Sequence, residues 1–182
     1  GSSARRPLVA PLWDDHDDLI PTPDTTFSTL GAGHDVVCGV TTDATIECWG
    51  HATATDPVSS PPSAEYQYVD VGNSWALGLT VDGTLLTWTE KDLDSSGPWL
   101  AQVLEAPEGT FVAASAGQQH ACALDGEGFA ECWGANVYGE ATPPLFTQYV
   151  SIDAGDRHTC GLSVDGEVHC WGQPVPSTVP EL

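Results

Sequence analysis

The chain has 182 residues and a formal net charge of −22, with 26 acidic residues set against four basic ones, Arg5, Arg6, Lys91 and Arg157. That sign argues against nucleic acid, where affinity comes from Lys and Arg displacing counterions, and against anionic membranes; it favours solubility and basic partners. The length suits one domain with its own core, and no apolar run approaches the roughly 18 residues that insert across a bilayer. No methionine is present, and Gly1-Ser2-Ser3 reads as a processed or excised start, with a cleaved secretory signal as the preferred origin. Neither Asn73 nor Asn136 begins an Asn-x-Ser/Thr sequon, so N-glycosylation is not expected.

Residues 1–26 are rich in Pro, Asp and Leu. Pro7-Leu8-Val9-Ala10-Pro11-Leu12-Trp13 reads as an extended apolar arm, which makes Leu8, Val9, Leu12 and Trp13 candidate interaction residues. Asp14-Asp15-His16-Asp17-Asp18 is the densest charge cluster. Its carboxylates suit calcium, but the glycine turn and distal glutamate of a calcium loop are lacking, so no metal site is assigned. A solvated acidic segment, or a contact for a basic patch, is the expected reading.

From residue 27 the chain repeats itself. Gly33, Gly72, Gly117 and Gly155 each follow an aromatic residue by six positions: Phe27, Tyr66, Phe111 and Tyr149. Five residues after each glycine stands Cys38, Leu77, Cys122 or Cys160, and ten further Cys48, Thr87, Cys132 or Cys170. A tryptophan follows at once: Trp49, Trp88, Trp133 or Trp171. The period is 39, 45 and 38 residues, which defines four units at about 27–50, 66–89, 111–134 and 149–172. Each unit alternates with period two between turn signals and reads as strands.

In the fourth unit Val164-Asp165-Gly166 has the form of a three-residue hairpin loop, with glycine at the left-handed position. Counting outward from that loop sets Cys160 opposite Cys170. The same count sets Cys38 opposite Cys48, Cys122 opposite Cys132, and Leu77 opposite Thr87. Facing residues of an antiparallel pair lie close enough for a disulfide. Three cross-strand bridges, Cys38–Cys48, Cys122–Cys132 and Cys160–Cys170, are therefore expected, with reduced core cysteines as the alternative. A C-x9-C spacing does not suit a structural zinc site. Bridges of this kind belong to an oxidising compartment.

The connection from Glu90 to Gly109 lengthens one period and reads as an inserted loop, with Trp99 as a candidate interaction residue beside Trp13. The repeated tryptophans are expected to pack between units. His120 and His158 recur at one repeat position, where Trp75 stands in the second unit, and recurrence points to structural hydrogen bonding. No nucleophile–base arrangement or phosphate-cradling loop emerges from the spacing, and cysteines held in bridges supply no thiolate. Residues 173–182, with Pro174, Pro176 and Pro180, read as an extended tail.

Cys122-Ala123-Leu124 followed by Glu131-Cys132-Trp133-Gly134-Ala135-Asn136-Val137-Tyr138-Gly139-Glu140 resembles the repeat of the regulator of chromosome condensation family. The fourth unit, Ala154-Gly155-Asp156-Arg157-His158-Thr159-Cys160-Gly161-Leu162 through Cys170-Trp171-Gly172, is similar as well, and the short period is closer to the bacterial versions, including a propeller-type β-lactamase inhibitor. The second unit departs at Leu77, Thr87 and Thr89, and the first at Val36. The resemblance implies an all-β, β-propeller-like fold of about four antiparallel blades, where the family usually has seven, and a role in protein–protein interaction.

The expected protein is disulfide-stapled, extracellular (secreted or on a cell surface), non-catalytic and without cofactor or metal. Its expected partner is itself, through sheet edges and terminal arms, in an oligomer or filament. A basic protein is a second expected partner. The alternative is an adhesin or inhibitor that grips its target through one propeller face.

Overall fold

The computed structural model describes residues 12–13, 19–20, 24–33, 36–50, 60–89 and 98–173. Each repeat builds a three-stranded antiparallel sheet in simple meander order. The first holds β3 (Phe27–Ala32), β4 (Val36–Thr41) and β5 (Ile46–Gly50). The second holds β6 (Tyr66–Val71), β7 (Ala76–Thr80) and β8 (Leu85–Trp88). The third holds β9 (Phe111–Ala116), β10 (His120–Asp125) and β11 (Ala130–Gly134), and the fourth β12 (Tyr149–Ala154), β13 (His158–Ser163) and β14 (Val168–Gly172). Ahead of them β1 (Leu12–Trp13) pairs antiparallel with β2 (Leu19–Ile20), so this part of the arm folds back on itself rather than running extended.

Local turn chemistry sets the register of each sheet. In the fourth, the Ser163 N–H donates to the Glu167 carbonyl at 2.8 Å and the Gly166 N–H to the Ser163 carbonyl at 3.0 Å. Glycine takes the left-handed position of three turns, at φ of 88° for Gly83, 88° for Gly128 and 84° for Gly166. The first turn places Ala44 there, at φ 61°. A Cβ in that region crowds the following carbonyl. Ala44→Gly is expected to raise stability by about 0.5–1 kcal/mol, read as a shift in the urea midpoint. An unchanged or lowered midpoint would show that the turn carries no such strain.

The turns place Cys38 opposite Cys48, Cys122 opposite Cys132 and Cys160 opposite Cys170. All three pairs are disulfide-bonded, with Cα atoms 4.0, 4.0 and 4.1 Å apart. In the second sheet Leu77 faces Thr87 instead. Leu77 is fully buried, and the Thr87 hydroxyl donates to the Leu104 carbonyl at 3.0 Å.

The inserted connection contains a helix, α1 (Pro98–Leu104), which corrects the expectation of strands and loops alone. Proline suits its first turn, where no intrahelical N–H is needed. Leu100 and Val103, three apart on one side, are fully buried in a cluster with Trp75, Leu77 and Leu79. The Trp133 indole donates to the Val103 carbonyl at 3.0 Å. α1 thus fills the space beside the second and third sheets, where the second has no disulfide.

The core lies between sheets rather than within any one of them. Val36, Cys38 and Val40 of the first sheet pack with Tyr66, Val69 and Val71 of the second. Trp75, Leu77 and Leu79 of the second pack with Phe111, Ala114 and Ala116 of the third. Cys122 and Leu124 of the third pack with Tyr149 and Ile152 of the fourth. The sheets therefore stack in series, as blades. Trp49, Trp88 and Trp171 meet the opening aromatic of their own blade, with ring centroids 5.0 Å from Phe27, 6.2 Å from Tyr66 and 5.8 Å from Tyr149.

Candidate interaction faces

Consecutive blades are joined by a repeated polar register. The Tyr66 N–H donates to the Ala44 carbonyl at 2.7 Å, Phe111 N–H to Gly83 at 2.8 Å, and Tyr149 N–H to Gly128 at 2.7 Å. Each opening aromatic is thereby tied to the hairpin turn of the blade before it. A second link runs through the residue four places after the aromatic. Asp70 Oδ2 accepts the Ala116 N–H at 2.9 Å, and Ser115 Oγ accepts the Ala154 N–H at 3.0 Å. Burial raises the Asp70 carboxyl above the usual carboxylate range, against the N–H bonds from Ala116 and Val71 that favour its charge. Neighbouring Tyr68 is pushed well above the usual phenol value by burial, then by Asp70 and Asp153. At the inner ends of the blades Gly33, Gly72, Gly117 and Gly155 line a cavity of about 240 Å³ with Asn73 and Gln118.

The two ends of the stack carry the halves of this same interface. On the side that each blade turns to the next, Val40, Leu79 and Leu124 are each 1% exposed. Their counterpart in the fourth blade, Leu162, is 39% exposed. Val168, opposite it, is 50% exposed, where Ile46 and Leu85 are buried. Cys170 is exposed and Cys160 half-buried, whereas Cys38 and Cys122 are fully buried. A Cβ on Gly83 or Gly128 would touch the backbone of Phe111 or Tyr149; around Gly166 nothing lies within 4 Å. Asp153, the counterpart of Asp70 and Ser115, is exposed.

On the opposite side, Val69, Ala114 and Ile152 are buried against the preceding blade, and their first-blade counterpart Leu30 is 58% exposed. Ala32, counterpart of Val71 and Ala116, is also exposed. Among the described residues, none covers either end.

Of the interaction residues expected from sequence, Leu8 and Val9 lie outside the described residues. Leu12 and Trp13 form β1. Trp99 sits on α1, half-buried against the cluster of Trp75 and Phe111, not at a loop tip. The acidic cluster Asp14–Asp18 lies outside the described residues, as do 174–182 of the tail. Among the described residues no group of three or more His, Cys, Asp or Glu is placed to hold a metal, and no helix is long and apolar enough to cross a membrane. Leu30, Leu162 and Val168 escape sequence reasoning because each resembles its buried counterparts. The signal was available in the repeat register, since the first and last blades each have one neighbour fewer among the described residues.

His120 is fully buried, and its Nε2 lies 2.8 Å from Thr159 Oγ1 of the next blade. The Thr159 hydroxyl donates to the Glu140 carbonyl at 3.1 Å, so its oxygen is left to accept and Nε2 carries the proton. The histidine acts as an inter-blade strut. The Trp75 indole at the same repeat position donates to the Gln118 carbonyl of the next blade at 3.2 Å.

Residues 149–174 match the model of the regulator of chromosome condensation (RCC1) repeat. No curated protein sequence matches the chain. Among solved structures, the chain is similar to the CRINKLY WD40 ectodomain of the Arabidopsis thaliana receptor kinase ACR4, at 25% identity and a TM-score of 0.70 over 86% of this chain and 54% of that one. It is also similar to the ectodomain of the Physcomitrella patens receptor kinase CR4, at 24% identity and a TM-score of 0.69 over 87% and 43%. Saccharomyces cerevisiae Prp20p, studied for its binding to Gsp1p and histones, aligns at 14% identity and a TM-score of 0.62 over 85% and 47%. The chain thus spans about half the length of these structures. Four blades in series, the matched fourth repeat and these neighbours identify an almost all-β chain of RCC1-like β-propeller repeats, stapled by three disulfides.

Proposed function

We propose that the protein is a non-catalytic extracellular interaction module that self-associates, as the subunit of an oligomer or filament. Extracellular placement is supported by the three disulfides and by the likeness to two receptor-kinase ectodomains. Self-association is supported by one observation: an interface used between every consecutive pair of blades is left uncovered by the described residues at both ends of the stack, with Leu30 and Leu162 exposed there. Apolar faces of that kind are seldom left to water. The N-terminal arm is a second means of joining copies.

Electron microscopy of the purified chain, with light scattering, tests the reading. Rings or fibres are the expected result; a discrete monomer at every concentration overturns self-association and leaves the alternative of an adhesin or inhibitor acting through one propeller face. Deleting residues 1–13 separates the two routes. Loss of assembly with an unchanged circular dichroism spectrum assigns assembly to the arm, and retained assembly assigns it to the blades.

A further inference from the structure

We infer that the open face of the fourth blade takes the first blade of a second copy of this chain, in a head-to-tail contact that reproduces the internal blade junction. The inference rests on the self-association reading and specifies its site and geometry.

The argument is one of matching halves. Every internal junction brings together an apolar residue of the middle strand, a turn carbonyl and, at two of them, a side-chain acceptor from the preceding blade. The following blade supplies an aromatic N–H, an apolar residue three places on, and a backbone N–H five places on. The fourth blade presents the first half complete: Leu162 and Val168 exposed, the Gly166 carbonyl beside open space, and the exposed Asp153 carboxylate. The first blade presents the second half in the same register: Phe27, then Leu30, then the backbone of Ala32. Leu162 would cover Leu30 as Leu124 covers Ile152, and Asp153 would accept the Ala32 N–H as Asp70 accepts that of Ala116.

The two faces differ, so neither pairs with itself. The contact is heterologous, closing into a ring or running on as a fibre. Copies that each carry −22 repel one another, so added salt strengthens this contact by screening.

The test uses Leu30→Asp and Leu162→Asp in the full chain. Both positions are exposed in the single chain, so both variants keep the fold, read as an unchanged circular dichroism spectrum. In about 0.5 M salt, where screening is strong, sedimentation is expected to show the parent assembled and each variant alone monomeric, its dissociation constant raised by roughly 100-fold or more. A one-to-one mixture restores a dimer and nothing larger, because one intact pair of faces remains. Variants that assemble like the parent overturn the face contact and leave self-association standing. Variants whose mixture stays monomeric overturn the head-to-tail pairing. A monomeric parent overturns both readings.

Discussion

Lowering the pH from 7 to 4 is expected to remove about 3 kcal/mol of stability through His120 alone. Burial holds this imidazole at a pKa of about 4, against an ordinary 6.5, with a smaller depression from His158 and opposing contributions from Glu140 and Asp156. The folded value lies below the unfolded one, so as the pH falls the unfolded chain binds the proton first. The contribution is therefore complete above 6.5 and is lost as the pH drops through the range down to about 4. Asp70 works in the opposite sense. Its raised pKa favours the fold when the carboxyl is protonated, and that contribution is lost as the pH rises. Comparison with His120→Gln separates the two, because glutamine still reaches the Thr159 hydroxyl and does not titrate. Urea midpoints measured between pH 7 and pH 4 should fall more steeply for the parent than for the variant. Parallel curves would mean that His120 is not held neutral.

Gly117→Ala is expected to destabilise the protein on the order of 3 kcal/mol. An added Cβ would stand 2.5 Å from the Gly155 carbonyl oxygen and 2.6 Å from Cε1 of His120. Neither neighbour can give way easily. The Gly117 N–H is bonded to the His120 carbonyl at 2.8 Å, and the Gln118 N–H to the Gly155 carbonyl at 3.2 Å. The methyl group would have to push the third and fourth blades apart at their inner ends, breaking a backbone bond and opening the Cys122, Leu124 and Tyr149 cluster. Gly126→Ala is the control, since nothing lies within 4 Å of that position and its midpoint should move by no more than about 0.5 kcal/mol. Equal midpoints for the two variants would contradict the close approach of the blades.

Much of the fold is legible in the sequence because it is local. A hairpin register is decided by a three-residue turn, so counting from Val164-Asp165-Gly166 is enough to set Cys160 against Cys170. Repeat offsets carry the same register to the other blades, including the one where Leu77 faces Thr87. The helix at Pro98–Leu104 was not legible. Seven residues give less than two full turns, and Leu100 and Val103 are too few to establish a period. Its stability comes from the pocket beside Trp75 and Leu77 that receives it.

The same division runs through the candidate site. Trp99 draws attention as a large apolar residue in an insertion, but the fold turns it toward the core. Leu30 and Leu162 draw none, since nothing in their own strands distinguishes them from Val69 or Leu124. The sequence by itself determined the strands, turns, cysteine pairing and number of repeats, all of which follow from interactions a few residues apart. Only the tertiary structure decided which apolar residues are left uncovered, because burial belongs to the neighbouring blade, and the first and last blades each have one neighbour fewer among the described residues.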